Sequence, residues 1–226
     1  ESVEKRLQSI QRQSRNTSVD LKLEAEILER IKGNLEDDQP ARTLGLNPEE
    51  AKIIKSMGLL TLKPVIYVAN IAESDLEGSP DVNHLKEYAE QTNSELVIIC
   101  AQIEEELARL SGEDREEFRK DLGIQESALD KLIRSSYRIL GLISFLTAGT
   151  DEVRAWTIKE GSPAPAAASV IHSDIERGFI RAEAISYQDF IKAGSFAQAR
   201  EMGLIRSEGK QYIVKDGDII DFRFNV

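Results

Sequence analysis

Val3, Leu7 and Ile10 stand four and then three residues apart, so they line one stripe of a helix running from Val3 to about Ser14. Asn16, Thr17 and Ser18 follow with turn and N-cap chemistry. A second helix is expected from there, carrying Leu21, Leu28 and Leu35 beside Leu23, Ile27 and Ile31, with its charges on the other side. Two amphipathic helices joined by a short polar loop make an antiparallel hairpin. Asp37 to Pro40 ends it, because proline cannot continue a helix and restricts the residue before it. Asn47-Pro48-Glu49-Glu50 then restarts a helix, with an N-cap asparagine and a first-turn proline, that runs to Met57-Gly58.

After Gly58 the period changes. Pro64 to Ala69 and Glu95 to Cys100 are short runs rich in β-branched residues, separated by a helical stretch at about Asp81 to Gln91. Strand, helix, strand at this spacing predicts a βαβ unit in a parallel sheet with both faces covered. Further helices are expected at about Ile103 to Leu110, Asp114 to Leu122 and Ser127 to Leu140. Beyond Gly141 the pattern predicts strands at Ile143 to Thr147, Val153 to Ile158, Phe179 to Ile185, Gln211 to Val214 and Ile219 to Phe224. Short helical stretches intervene near Ala164 to Ile171 and Tyr187 to Ala193. A mixed sheet with helices on one face is the economical solution, so the chain reads as α/β followed by α+β.

Composition sets bounds. With 226 residues, 41% hydrophobic and 31% charged, the chain has room for one large or two modest domains. No apolar run approaches the roughly 20 residues that cross a bilayer, and no charged segment followed by an apolar one opens the chain. A cytoplasmic protein with no membrane partner is expected. The single cysteine, Cys100, excludes an internal disulfide and fits a reducing compartment. A net charge of -11 argues against wrapping nucleic acid by bulk electrostatics, and no DNA sequence recognition is expected. Residues 145–226 are nearly balanced, with 10 Lys+Arg and 12 Asp+Glu, so a local basic face built from Arg177, Arg181, Arg206, Lys210 and Lys215 stays open. Glu1 stands where a Met would open a chain and the helical pattern is already running by Val3, as expected for the downstream part of a longer protein.

Two segments carry candidate chemistry. Asn70-Ile71-Ala72-Glu73 follows the first apolar run, and Cys100-Ala101-Gln102-Ile103-Glu104 follows Leu96 to Ile99. A ligand held at the carboxyl ends of the two parallel strands would meet both. The Asn70 amide offers a donor and an acceptor, enough to bond a purine ring nitrogen and to tie neighbouring backbone. A backbone N–H near Ala101 or Gln102 would reach an exocyclic group of the base, with Cys100 packed beneath. In guanine-reading loops the last residue is usually Asp, whose carboxylate accepts two donors from the base; adenine lacks the second donor, so Glu73 in that place weakens a guanine preference. The plain alternative is a capped turn after one core strand and the end of another. No Gly-rich loop ending in Gly-Lys-Ser/Thr occurs to hold phosphates.

Other residues read more simply. Neither His84 nor His172 has a partner set with metal-ligand spacing. Gly149 to Glu152 and Lys215 to Asp218 are turns, and the acidic clusters Glu104 to Glu106 and Glu113 to Glu117 are solvated helix faces. Trp156 alternates with Ala155 and Thr157, which places it in a core, or, beside Arg154, at a partner surface.

Longer strings carry a resemblance: Leu59 to Glu73, Thr147 to Ile158, Ile171-His172-Ser173-Asp174, Arg177 to Glu183, and the closing Phe222-Arg223-Phe224-Asn225-Val226. Over essentially its whole length the chain resembles the Obg-like ATPases of the YchF type. The resemblance implies a P-loop G domain interrupted by a helical coiled-coil insertion, then a TGS domain of the ubiquitin-like β-grasp fold. Residues 1–62 would be the insertion, 63–141 the later part of the G domain and 142–226 the TGS domain. It implies base recognition by Asn70 and Glu73, with Ile71, Cys100, Ala101 and Gln102 around them, for ATP with GTP as a second candidate, accompanied by Mg2+. It also implies a ribosome or RNA partner reached through the TGS domain and the hairpin, and a link to translation or stress. The family's phosphate loop and hydrolytic residues precede the coiled coil, so no catalytic or metal-binding residue is expected here and this chain alone should be inactive. Two other readings remain: a TGS binding module that works without nucleotide, and a truncated sheet completed by a separate chain.

Overall fold

Val3, Leu7 and Ile10 of α1 (Ser2–Arg12) bury against Ile27, Leu28 and Ile31 of α2 (Val19–Glu36), as their spacing requires. The computed structural model describes residues 1–12, 19–75, 78–124, 126–149 and 152–225, so the expected helix end at Ser14 and the turn at Asn16 to Ser18 lie outside the described residues. Two compact units result, Glu1–Ser136 and Tyr137–Val226.

In the hairpin one expectation fails. Leu23, placed on the apolar stripe, is 39% exposed, whereas Glu24 is buried. The cause is a bidentate ion pair: Arg6 of α1 donates through Nε and Nη2 to the two Glu24 carboxylate oxygens at 2.6 and 2.8 Å. A carboxylate so engaged is satisfied inside the helix–helix seam, and the leucine beside it is displaced toward water. Asn47 caps α3 (Pro48–Ile54) as expected, with a full capping box. Its Oδ1 accepts from the Glu49 and Glu50 N–H groups, and Glu50 accepts from the Asn47 N–H.

The βαβ unit is β1 (Ile66–Asn70), α4 (Pro80–Gln91) and β2 (Glu95–Ile99), with the strands parallel. Tyr67 of β1 packs on Tyr88 of α4, ring centroids 5.8 Å apart. The expectation that both faces are covered is not met. Among the described residues the sheet has only two strands, and Val68 and Ile98 stay 45% and 40% exposed. Three helices follow: α5 (Ala101–Arg109), α6 (Gly112–Asp121) and α7 (Ala128–Ile139). Glu113 to Glu117 are solvated as expected, but Glu104 is not: its carboxylate accepts the Ala128 N–H at 2.7 Å and so caps α7.

The second unit contains β3 (Leu142–Ala148), β4 (Val153–Lys159), α8 (Ala164–Ser169), α9 (Ser173–Arg177) and β5 (Phe179–Ser186). It continues through α10 (Tyr187–Ala193), α11 (Phe196–Glu201), β6 (Arg206–Glu208) and β7 (Asp218–Phe224). The strand order is β4-β3-β7-β5-β6, with β3 parallel to β7 and every other pair antiparallel. The first and last strands side by side and parallel at the centre define the ubiquitin-like β-grasp. Phe145, Ala182, Ala184, Ile220 and Phe222 form the main core with α8. Ile185 and Ile219 belong to the opposite side of their alternating strands and pack with Ala193 of α10 and Ala199 of α11. Helices therefore flank the sheet on both faces, not one.

The strand expected at Gln211 to Val214 is absent: only an isolated bridge joins Ile213 to Pro163, and the fifth strand is instead Arg206–Glu208. A three-residue polar edge strand shows no apolar alternation. Trp156 is partly buried: one side packs against the main cluster, Nε1 donates to Thr147 Oγ1 at 2.9 Å, and Arg154 stacks 4.2 Å from its ring centre. Gly178 is needed for space: a Cβ there would run into the Asn225 backbone, whose N–H donates to the Gly178 carbonyl at 2.9 Å.

Asp218 fixes the turn before β7. It is 2% exposed and accepts from Tyr212 Oη at 2.6 Å, Lys215 N–H at 3.0 Å and Arg206 Nη2 at 3.3 Å. Burial, and then the hydrogen bond to Asp218, push the Tyr212 phenol well above its ordinary pKa. Replacing Asp218 by Asn should therefore lower stability by about 1–2 kcal/mol, read from urea unfolding at pH 7, because an amide accepts through one oxygen where the carboxylate accepts through two, while Arg206 keeps Glu208. A raised acid pKa means that the fold prefers the neutral phenol. The stabilisation is complete below the unfolded tyrosine pKa of about 10 and is lost as pH rises through the higher folded value. Tyr212 should ionise only well above the ordinary tyrosine range in an absorbance titration compared with its Tyr212→Phe variant.

Candidate functional site

Parallel pairing places Asn70 level with Ile99, so β1 and β2 end side by side. The ladder runs one step further, the Ile71 N–H donating to the Ile99 carbonyl at 2.8 Å. Beyond that point the two loops are tied by a side chain: Asn70 Oδ1 accepts the Ala101 N–H at 3.1 Å.

That bond has a specific local cause. Ala101 is the first residue of α5, and a helix cannot satisfy its own first N–H groups. Cys100 at the N-cap is extended and supplies no side-chain cap, since its sulfur is buried with Ile103 and Leu107 against Ile71. The cap is supplied from the neighbouring strand by Asn70. The Gln102 and Ile103 N–H groups follow, and Glu104 N–H closes the first turn on the Cys100 carbonyl at 3.1 Å.

Asn70, Ala72, Glu73, Ala101 and Gln102 are exposed, over a floor made by Ile71 and Cys100. Glu73 begins a single 3-10 turn, Glu73–Asp75, with its carboxylate toward water, and residues 76 and 77 lie outside the described residues. Of the two backbone donors named from sequence, Ala101 is engaged by Asn70, which leaves Gln102 as the outward donor. The Asn70 Nδ2 retains both hydrogens and its Oδ1 a second lone pair. The corner thus presents an amide with both polarities, a helix-start N–H and a carboxylate beside a small apolar floor.

Among the described residues no group of three or more His, Cys, Asp or Glu is arranged to hold a metal ion. His84 is exposed on α4, and His172 caps α9, its Nδ1 accepting the Asp174 N–H at 3.2 Å. Three cations of the suggested basic face are engaged locally: Arg177 with Asp174, Arg181 with Glu183, and Arg206 with Asp218 and Glu208. Arg42 gave no sequence signal, yet it donates to the Thr92 carbonyl at 2.9 Å and to Ser94 Oγ at 3.2 Å. It thereby pins the turn after the hairpin to the α4–β2 corner.

Residues 142–225 match the YchF-GTPase_C family, described as "Protein of unknown function (DUF933)". Among curated relatives, "Ribosome-binding ATPase YchF" of Bacillus subtilis is 48% identical over all of this chain and 63% of its own length. The protein of the same name from Haemophilus influenzae is 45% identical, over all of this chain and 62% of its own. The chain thus spans less than two thirds of these relatives. Among solved structures, the Schizosaccharomyces pombe YchF GTPase superposes with a TM-score of 0.84 at 33% identity, covering 98% of this chain and 61% of that one. A GTP binding protein from Pyrococcus horikoshii OT3 gives 0.52 at 17% identity over 92% and 58%, a likeness of fold alone.

The cross-strand cap is directly testable. Asn70→Ala should expose the Ala101 amide to rapid hydrogen exchange and cost about 1 kcal/mol, whereas Asn70→Asp, which keeps an acceptor oxygen, should retain protection. Equal protection in all three proteins would mean that Asn70 does not cap α5.

Proposed function

Over the part of their length that it spans, the chain belongs to the YchF family, and from that premise we propose that it supplies the base-recognition half of a ribosome-associated ATPase. In this reading residues 1–62 are the coiled-coil insertion, 63–141 the later part of the G domain and 142–226 the TGS domain. The observation that carries the proposal is the Asn70 Oδ1 bond to the Ala101 N–H, which holds both candidate loops in one corner.

Adenine fits the corner's polarity. The Asn70 Nδ2 donates to a ring nitrogen, the exocyclic amine has the second Oδ1 lone pair or Glu73 as acceptor, and Ile71 and Cys100 support the ring. Guanine presents a carbonyl where adenine has the amine, which suits the Gln102 N–H, and its further donors suit an Asp better than a Glu at position 73. ATP is accordingly the first ligand, with GTP second. Mg2+ bound with the nucleotide would neutralise phosphate charge. This chain's residues do the reading of the base and the anchoring of β1 to β2. Ribosome or RNA association through the β-grasp unit and the hairpin completes the proposal, and a cytoplasmic location follows from such a partner.

The test is a heteronuclear NMR titration of the chain with ATP and with GTP. Weak binding is expected, with shifts concentrated at Asn70, Ile71, Ala101 and Gln102, a preference for ATP, and no hydrolysis above background. Glu73→Asp should move the ATP-to-GTP affinity ratio toward GTP by about fivefold, close to 1 kcal/mol. Shifts confined to other residues, or a ratio indifferent to Glu73→Asp, would remove the assignment.

A further inference from the structure

Three guanidiniums converge on one carboxylate in the β-grasp unit. Arg181 of β5 donates to Glu183 Oε1 at 3.0 Å, while Arg223 of β7 and Arg200 of α11 donate to Oε2 at 3.3 and 3.4 Å. The Glu183 side chain is 17% exposed and the arginines 51%, 48% and 67%. Two carboxylate oxygens offer about four acceptor sites against roughly fifteen guanidinium N–H donors, so most donors face water. Asp221 engages Arg223 at 2.9 Å, and Arg206 next to the cluster is matched by Asp218 and Glu208. Around Glu183 and Asp221 the three guanidiniums outnumber the carboxylates, and with Arg206, Asp218 and Glu208 the local charges balance, so the attraction rests on the donors left facing water. The cluster's arginines hold Glu183 below the usual carboxylate range, so the carboxylate stays ionised and keeps the guanidiniums oriented.

A cavity opens beside these groups. About 220 Å³ is lined by Arg181, Glu183, Arg200, Arg206 and Ser207 with Ile205. A neighbouring cavity of about 210 Å³ shares Glu183, Arg200 and Ile205 and continues over Phe196 and the edges of Ile185 and Ile219, with Asp221, the partner of Arg223, also in its wall. One groove therefore has a cationic end and an apolar end with an aromatic ring in its wall.

We propose that this groove binds a nucleotide unit, its phosphate on Arg181 and Arg200 and its base against the accessible faces of Phe196 and Ile205. Guanidinium forks match phosphate oxygens in a bidentate manner, and bases stack on aromatic and apolar surfaces without regard to sequence. The unit comes either from a free mononucleotide or from an unpaired residue of an RNA strand. The inference deepens the reading of an RNA contact by the β-grasp unit and shares no residue with the Asn70 corner.

The chain is titrated with AMP, monitored by NMR, and with a labelled single-stranded RNA hexamer, monitored by fluorescence anisotropy. Amide shifts are read separately at Ile205 and Ser207 and at Asn70 and Ala101, so that failure of the groove and failure of the base corner are told apart. At least one probe should shift Ile205 and Ser207 and be displaced by inorganic phosphate. The Arg181→Ala/Arg200→Ala double variant should bind that probe at least tenfold more weakly while its thermal transition stays cooperative. Glu183→Gln, which frees guanidinium donors, should bind it at least as tightly as the wild type. AMP matching the hexamer identifies the free nucleotide as ligand; a hexamer preference with a log–log salt slope of about -0.7, from one neutralised phosphate, identifies the strand. The proposal is overturned if neither probe shifts the groove amides, or if the folded double variant binds as the wild type does.

Discussion

A carboxylate drawn out of water has to find its donors inside the protein, and that requirement sets the geometry at the decisive places in both units. In the hairpin it turns what looks like a polar interruption into the seam: Glu24 is buried because Arg6 reaches across from the other helix with both ends of its fork. In the β-grasp it fixes the approach to β7, where Asp218 gathers donors from Arg206, Tyr212 and the Lys215 backbone. Glu104 and Glu50 act at helix starts, satisfying N–H groups that the helices leave open. A hydrophobic core alone would leave strand and helix ends free to slide; these charge-assisted bonds specify where each element begins.

The same constraint explains the corner at Asn70. A small, buried Cys100 provides the apolar floor but cannot cap α5, so the first N–H of that helix needs an outside acceptor. Asn70 meets the need and is held by it, its remaining donor pair pointing outward from a fixed carbonyl. An amide locked by backbone on one side and open on the other is a preorganised reader: its orientation is settled before a ligand arrives. Aspartate would hold the helix equally well but could not donate to a ring nitrogen. In the proposed reading, the residue type therefore serves the open side as well as the fold.

Most of the architecture was legible because it rests on apolar period. The stripe of Val3, Leu7 and Ile10, the βαβ runs and the strands β3, β4, β5 and β7 all follow from where hydrophobic residues recur. What could not be read depends on partners distant in sequence. Burial of Glu24 needs Arg6, eighteen positions away, and the strand at Arg206–Glu208 exists because β5 offers a ladder, not because of its own pattern. Gln211 to Val214 has the apolar content of a strand, yet Val214 is buried and Tyr212 turns to Asp218, so its backbone does not extend along an edge. Of the corner, the two loops and their adjacency were readable from the strand–helix–strand spacing, but the direct Asn70 to Ala101 bond was not, since nothing in the string says which of several acceptors caps α5.

The arginine cluster was unreadable for a related reason. Arg181, Arg200 and Arg223 lie on three elements and look like scattered surface cations until β5 and β7 pair Arg181 with Arg223 and α11 brings Arg200 over the same face. Sheet register thus makes a site from residues with no common motif, whereas the Asn70 corner is made by two contiguous loops. The two also differ in stiffness. Asn70 is restrained by backbone, and the guanidiniums only by Glu183 and Asp221, at contacts of 2.9 to 3.4 Å with much of each side chain in water. A rigid amide corner discriminates between ring edges, while half-exposed guanidiniums on long stems adapt to the position of a phosphate and carry little information about the base attached to it. In the proposed reading, specificity therefore belongs to the first unit and sequence-tolerant attraction to the second.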